Sequence, residues 1–283
     1  MQKEHERFID VEQVIANKNP QLLRWLPGFV LRYIKRIVHE EHINTFIRHH
    51  GHKQSFEFID AIIEDFGVRI ISNGIDHIPA SGGCIIAANH PIGGLDAMAL
   101  MQAVALRRKY QSFIVNDVLM NLKNLNELFV GVNKHGKNTQ DALAEIDRLY
   151  AGTGAVLIFP AGLVSRKQRG EIIDLEWKKS FITKAKRFSK PIIPVHITGR
   201  NSDFFYNLAR WRSRLGIRSN IEMLYLMDEM FHQRGKDITL TFGAPLEPAR
   251  FNNSRSDREW AFRVKEHVYS LEPGKNPTDP FAP

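Results

Sequence analysis

Apolar positions along the chain change their period near residue 67. Before that point they recur at the three-to-four-residue spacing of a helix. Leu22, Leu23, Trp25, Leu26, Phe29, Val30, Tyr33, Ile34, Ile37 and Val38 interleave with Arg24, Arg32, Lys35 and Arg36, and Pro27-Gly28 divides the run into two helices. Residues 2–19 are polar and partly helical by pattern, and 40–66 continue as helix with Phe46, Ile47, Phe56, Ile59, Ile62 and Ile63 on the inner side. From residue 68 short apolar runs alternate with helical stretches. The pattern predicts strands at 68–75, 84–88, 112–115, 129–132, 155–159, 192–197 and 238–242. Between and after them it predicts helices at 95–109, 118–128, 139–150, 177–188, 204–215, 221–231 and 256–271. Strands separated by helices of this length imply an α/β fold, a mixed and mainly parallel sheet covered by helices. The expected organisation is an N-terminal helical segment over 1–66, an α/β domain over 67–271 and a loose, proline-rich tail over 272–283.

One strand end carries the clearest chemistry. Cys84-Ile-Ile-Ala-Ala-Asn89-His90-Pro91-Ile92-Gly93-Gly94-Leu95-Asp96 reads as a buried strand, a glycine turn and a helix start. Pro91 blocks further strand pairing, and the glycine pair permits backbone angles that other residues resist. Asp96 falls in the first helical turn, where a carboxylate is favoured, and can meet His90 across the turn. A histidine held by a carboxylate is a general base of fixed tautomer, so His90 and Asp96 are the catalytic candidates. The sequence has no Gly-x-Ser-x-Gly elbow, and Cys84 sits inside the strand, so direct attack by an activated acceptor is simpler than a covalent route. No His-Glu-x-x-His or cysteine pair supports a metal site, and the glycines match neither nucleotide motif. No cofactor is expected.

Composition narrows the setting. A single cysteine rules out an intrachain disulfide, and no apolar run has the 18 or more residues of a membrane span. The net charge of +8 is unevenly placed: residues 105–215 hold 20 Lys/Arg against nine Asp/Glu. That basic stretch suits an anionic partner, such as a phosphate headgroup or an acidic carrier protein. The aromatic and basic pattern of residues 22–38 suits a helix lying in a membrane interface, or equally one packed on the domain.

Two more strand ends are polar and cationic. Leu157-Ile-Phe-Pro160-Ala161-Gly162-Leu-Val-Ser165-Arg166-Lys167-Gln-Arg169-Gly170 stops a strand at a glycine turn followed by a hydroxyl and cations, a possible anion cradle. Phe129-Val-Gly-Val-Asn133-Lys134 ends similarly. Asn89, Gly93, Gly94, Asn133, Lys134, Pro160, Gly162, Ser165 and Arg166 are therefore the substrate-binding candidates.

In this order the three stretches resemble the glycerolipid acyltransferase family, whose best-known members acylate lysophosphatidic acid. Asn89-His90 and Asp96 match its first motif, 130–134 loosely its second, and Phe159-Pro160-Ala161-Gly162 its third. Ile192-Ile-Pro194-Val and Thr241-Phe-Gly-Ala-Pro-Leu246 are similar to its later strands, so the likeness spans 68–246. The chain departs from the family pattern at two places. Five residues separate His90 from Asp96 where the family has four. Ala161, Leu163 and Val164 stand where the third motif has Glu, Thr and Arg, with Arg166 in a shifted place. This variant resembles a bacterial branch associated with haemolysin-like annotations and with amino-acid lipids such as ornithine or glycine lipids.

The resemblance implies O-acyl transfer from acyl carrier protein or acyl coenzyme A to a lysolipid hydroxyl, with His90 as base and Asp96 as its orienter. The expected partners are membrane lipids and the thioester donor, with no nucleic acid. The expected place is peripheral, on the cytoplasmic side of the inner membrane. A non-catalytic module for anionic lipids and a thioesterase-like hydrolase are the alternative readings.

Overall fold

The computed structural model describes residues 7–116, 119–132, 139–217 and 219–282. Five helices precede the sheet: α1 (Val11–Lys18), α2 (Pro20–Trp25), α3 (Gly28–Ile37), α4 (Glu40–His50) and α5 (Ser55–Phe66). Leu26 and Pro27 separate α2 from α3, and Gly28 opens α3, so the break falls at the Pro27-Gly28 position that the sequence predicts. The single helix predicted over 40–66 is instead two. Asn124 donates its side-chain amide to the carbonyls of Gly51 and Lys53 at 2.9 and 2.6 Å, supplying partners for a turn that a continuous helix would not contain. The chain start is pinned to α4, where buried Glu40 accepts from the Val11 N–H and Asn44 exchanges two hydrogen bonds with the Ile9 backbone.

The domain is a mixed, mainly parallel seven-stranded sheet covered by helices. In chain order its strands are β1 (Arg69–Asn73), β2 (Cys84–Ala88), β3 (Gln111–Asn116), β4 (Phe129–Val132), β5 (Ala155–Ile158), β8 (Ile192–Ile197) and β9 (Asp237–Phe242). Across the sheet they run β1-β9-β8-β2-β5-β3-β4. Among the described strands of this sheet, β8 and β9 pair antiparallel and the other neighbours pair parallel, so β1 and β9 oppose the other five. The central strand β2 is buried throughout, and its residues alternate between two cores. Cys84, Ile86 and Ala88 join Phe58, Ile59, Leu100 and Met101 on one face; Ile85 and Ala87 join Trp177, Phe181, Trp260 and Val264 on the other. A strand with both faces covered needs the unbroken apolar run read at 84–88.

The covering helices are α6 (Gly94–Ala105), α7 (Thr139–Ala151), α8 (Ser180–Phe188), α9 (Asp203–Arg214), α10 (Leu226–Phe231) and α11 (Asp257–Ser270). The helix predicted over 118–128 is two short 3-10 turns, 119–121 and 123–125, among the described residues. The basic loop after Gly162 is in fact an antiparallel hairpin, β6 (Arg166–Gln168) and β7 (Glu171–Ile173). Its Arg169-Gly170 turn has positive φ at both residues, the two-residue geometry that matches strand twist. The tail read as loose is tied down. Phe281 packs on Phe251 and Trp260, and the Thr278 N–H donates to Ser270 Oγ at 2.8 Å.

Candidate active site

The carboxyl ends of β2, β5 and β8 meet at one place, as expected for a ligand site of an open α/β sheet. The chain leaves β2 at Asn89 and turns through 90–93 into α6. Gly93 sits at φ +114°, open to glycine and strained for other residues, and a Cβ there would lie 3.1 Å from Leu226. The turn brings His90 Nδ1 to 2.9 Å from Asp96 Oδ2.

Asp96 is fully buried, and the same oxygen accepts the N–H groups of Ile92 and Gly93, each at 2.9 Å. Burial pushes its carboxyl upward; the hydrogen bond and charge of His90 and the two backbone donors act against that. With two N–H groups already converging on Oδ2, the third contact is a donation from Nδ1–H. The lone pair of the imidazole therefore resides on Nε2. The ring is stacked on Phe159 at a centroid distance of 4.1 Å, and the His90 side chain is 17% exposed, enough for a substrate atom to reach it. Catalytic roles for His90 and Asp96 are consistent with this geometry.

The other candidates divide. Gly93 and Gly94 form the turn, packed beneath Leu226 and Met230 of α10. Phe159-Pro160-Ala161-Gly162 lies beside it: Phe159 covers His90, Gly162 turns at φ +68°, and the Pro160 carbonyl accepts the Lys178 N–H. Asn89 uses its amide differently from a substrate contact. Its Nδ2 donates to the Ile197 carbonyl and its Oδ1 accepts the Ile197 N–H, tying β2 to β8 in a buried position. Ser165 is likewise internal, donating its N–H to the His90 carbonyl at 2.8 Å and its hydroxyl to Asp174 at 2.6 Å. Arg166 donates to the carbonyls of Val164 and Ser165 and to Glu222, over the ring of Phe205. Asn133 and Lys134 lie outside the described residues.

One residue of the site escaped the sequence reading. Asp174, fully buried after β7, accepts the His90 N–H at 3.2 Å and the Ser165 hydroxyl through Oδ1, and the Trp177 indole N–H at 2.9 Å through Oδ2. Its own N–H bonds to the Tyr269 hydroxyl at 2.7 Å, and its carbonyl accepts Lys265 Nζ. Burial raises the Tyr269 hydroxyl and lowers the Lys265 ammonium from their ordinary values. Asp174 thus fixes the backbone from which the imidazole projects. Its sequence setting, one acid in Glu171-Ile-Ile-Asp-Leu-Glu176, carries no pattern that separates it from a surface carboxylate.

The glycine turn is connected to the N-terminal helices through α10. Leu226 and Met230 of α10 cover the glycine pair, and Phe231 of α10 is stacked on His39 at 3.6 Å. His39, at φ +52° between α3 and α4, bonds Asp228 at 2.8 Å, and the hydroxyls of Tyr33 and Tyr225 meet at 3.0 Å.

Comparison with known proteins agrees with the motifs. The family model described as Acyltransferase matches residues 13–278. A lyso-glycine lipid O-acyltransferase of Bacteroides thetaiotaomicron is 42% identical over 267 residues, covering 93% of this chain and 97% of that one. A second protein of that name from Phocaeicola vulgatus is 40% identical, covering 93% and 95%. Among solved structures, the 1-acyl-sn-glycerophosphate (LPA) acyltransferase of Thermotoga maritima matches with a TM-score of 0.46 and 17% identity, over 87% of this chain and 93% of that one. The chain belongs to the acyltransferase family and is an enzyme of acyl transfer.

Proposed function

We propose that this enzyme moves an acyl group from a thioester donor to the hydroxyl of a lysolipid bearing an amino-acid headgroup, lyso-glycine lipid foremost. The observation that carries the chemistry is the His90–Asp96 contact, in which Asp96 Oδ2 already holds two backbone N–H groups and so leaves Nε2 as the free base. Nε2 takes the proton of the acceptor hydroxyl while its oxygen attacks the thioester carbonyl. The C–S bond then breaks, and the departing thiolate takes the proton from the imidazolium. Asp96 orients the ring and stabilises the charge it gains. Acyl carrier protein and acyl coenzyme A are both thioesters that this scheme accommodates. The acceptor class is supported by the two relatives and by the replacement of the usual third-motif residues with Ala161, Leu163 and Val164.

The proposal includes action at a membrane surface. No helix among the described residues is long and apolar enough to cross a membrane. On α2 and α3, however, Trp25 is 85% and Phe29 67% exposed, beside Arg24, Arg32 and Arg36. An apolar face bordered by cations is the composition of an interfacial helix.

Purified enzyme incubated with acyl-thioester donors and a lysolipid panel tests the proposal. Diacylated product from the wild type, lost in His90→Ala, is the expected result. Equal turnover by His90→Ala removes the base assignment, and free fatty acid as sole product replaces transfer with hydrolysis. Trp25→Ser with Phe29→Ser should move the protein from the vesicle pellet to the supernatant; unchanged partitioning refutes the interfacial role of α2 and α3.

A further inference from the structure

A cleft of about 330 Å³ opens between the β6–β7 hairpin and α9. Its walls include Arg166, Lys167, Arg210, Arg212 and Arg214. A single fully buried carboxylate, Glu222, is clamped between Arg166 at 3.0 Å and Arg212 at 2.8 Å. Glu222 thereby fixes two guanidinium groups at the wall and neutralises one charge of the five. Lys167 has only a long contact to Asp203 at 3.9 Å, and Arg210 and Arg214 have no carboxylate partner among the described residues. Cations gathered without counter-charge repel one another, a cost that a bound anion removes. Leu163, Leu175, Tyr206 and Ala209 add apolar and aromatic surface to the lining, so a suitable ligand joins an anion to an apolar neighbour.

The cleft is linked to the chemistry through the backbone. Arg166 directly follows Ser165, whose N–H holds the His90 carbonyl. It is also linked to the exposed apolar surface. Tyr206, Ala209, Arg210 and Ser213 share the cleft side of α9, whereas Phe204, Trp211 and Leu215, seven and four residues apart, share its opposite side and are exposed. Phe204 contacts Tyr225, and Tyr225 bonds Tyr33 of α3, so this apolar side of α9 is connected to the exposed aromatic residues of α2 and α3. A helix bare and apolar on one side and arginine-rich on the other fits the boundary between acyl chains and headgroups, with the cleft behind it at headgroup depth.

We infer that the Arg166–Lys167–Arg210–Arg212–Arg214 cleft is the acceptor's headgroup subsite, selecting a lysolipid whose headgroup is anionic, a carboxylate in the case of an amino-acid lipid joined through its amine. The inference rests on the proposed lysolipid acceptor and adds the residues that choose its class. Arg210 and Arg214 are the specificity residues to change, because neither is held in the Glu222 clamp.

The test compares a lysolipid carrying a free carboxylate with its methyl ester, each in neutral detergent micelles. Binding is read by calorimetry and transfer by product formation, for the wild type and for Arg210→Gln with Arg214→Gln. The wild type should favour the carboxylate by roughly tenfold or more, and the double variant should lose most of that preference, seen in KM rather than kcat. No preference in the wild type, or an unchanged preference in the variant, overturns the assignment. A second arm measures binding to phosphatidylcholine vesicles with and without phosphatidylglycerol. If the variant loses only its response to vesicle charge and keeps its carboxylate preference, the arginines read bulk membrane charge and the acceptor subsite is refuted. Carboxylate-selective binding without any transfer would leave the cleft standing and remove the proposed reaction instead.

Discussion

Replacing Asp96 by Asn separates the charge of the orienting carboxylate from its geometry. Oδ2 accepts three donors, the Ile92 and Gly93 N–H groups and His90 Nδ1–H. An amide group turned toward them would oppose donor to donor three times, so the Asn oxygen takes the Oδ2 place. The other carboxylate oxygen has no partner among the described residues, so the amide NH₂ inherits a position that was already unpaired. The turn and the imidazole tautomer are therefore kept, and the negative charge facing the imidazolium is lost. A hydrogen bond to a charged group contributes about 1.5–3 kcal/mol against about 1 for a neutral one, a difference of up to about 2 kcal/mol. Asp96→Asn should thus lower kcat by roughly 2- to 30-fold. Asp96→Ala instead abandons two buried N–H groups as well, at about 1–3 kcal/mol each, and should unfold at clearly lower denaturant concentration. Single-turnover acyl transfer paired with urea unfolding checks both variants. A folded Asn variant with wild-type kcat would show that no imidazolium forms in the rate-limiting step. A folded Asn variant that loses 10⁴-fold would show that the tautomer is not preserved.

Other substitutions probe the supports of the site. Asp174→Ala leaves the His90 N–H, the Ser165 hydroxyl and the Trp177 indole N–H without their acceptor and should cost about 3–5 kcal/mol in urea unfolding; a loss below about 1 kcal/mol would refute its structural role. Gly93→Ala forces a side chain to φ +114° and against Leu226, and should destabilise by about 1–3 kcal/mol while reducing kcat through the displaced turn. His196 is buried on β8, which pushes its imidazole down to about 4. The folded protein then binds this proton less readily than the unfolded chain. The contribution is intact above the ordinary value near 6.5 and is lost as pH falls toward about 4, by roughly 3 kcal/mol. Urea midpoints across that window should fall less steeply in His196→Gln than in the wild type.

The strands were legible because burial on both faces leaves unbroken apolar runs. The strands at 84–88, 129–132 and 192–197 have the predicted limits. The His90–Asp96 pair was legible for a different reason, since a six-residue separation across a glycine turn makes the contact local. Long-range partners were not. Asp174 reaches His90 across 84 positions, and nothing in its neighbourhood marks it as internal. The hairpin 166–173 was hidden by its charge: Arg166 and Lys167 suggested an anion cradle after a glycine turn, whereas Arg166 is buried against a carboxylate 56 residues away. Asn89 and Ser165 were read as facing a substrate, yet both spend their polar atoms on neighbouring backbone or on Asp174. The split of α4 from α5 depended on Asn124, more than 70 positions downstream.

The packing of α10 on the glycine pair constrains how this enzyme can be varied. Leu226 and Met230 stand within 3.2 Å of where side chains at Gly93 and Gly94 would begin, and Phe231 and Asp228 of the same helix grip His39. The spacer, α10 and the α3–α4 corner therefore form one interlocking set, and a library that randomises the spacer alone would sample mostly clashes. Shortening it to four residues calls for compensating changes at 226 and 230. A chimera that imports another enzyme's first 66 residues must bring a partner for Asp228 and Phe231 with them. Among relatives, these three segments are expected to change together.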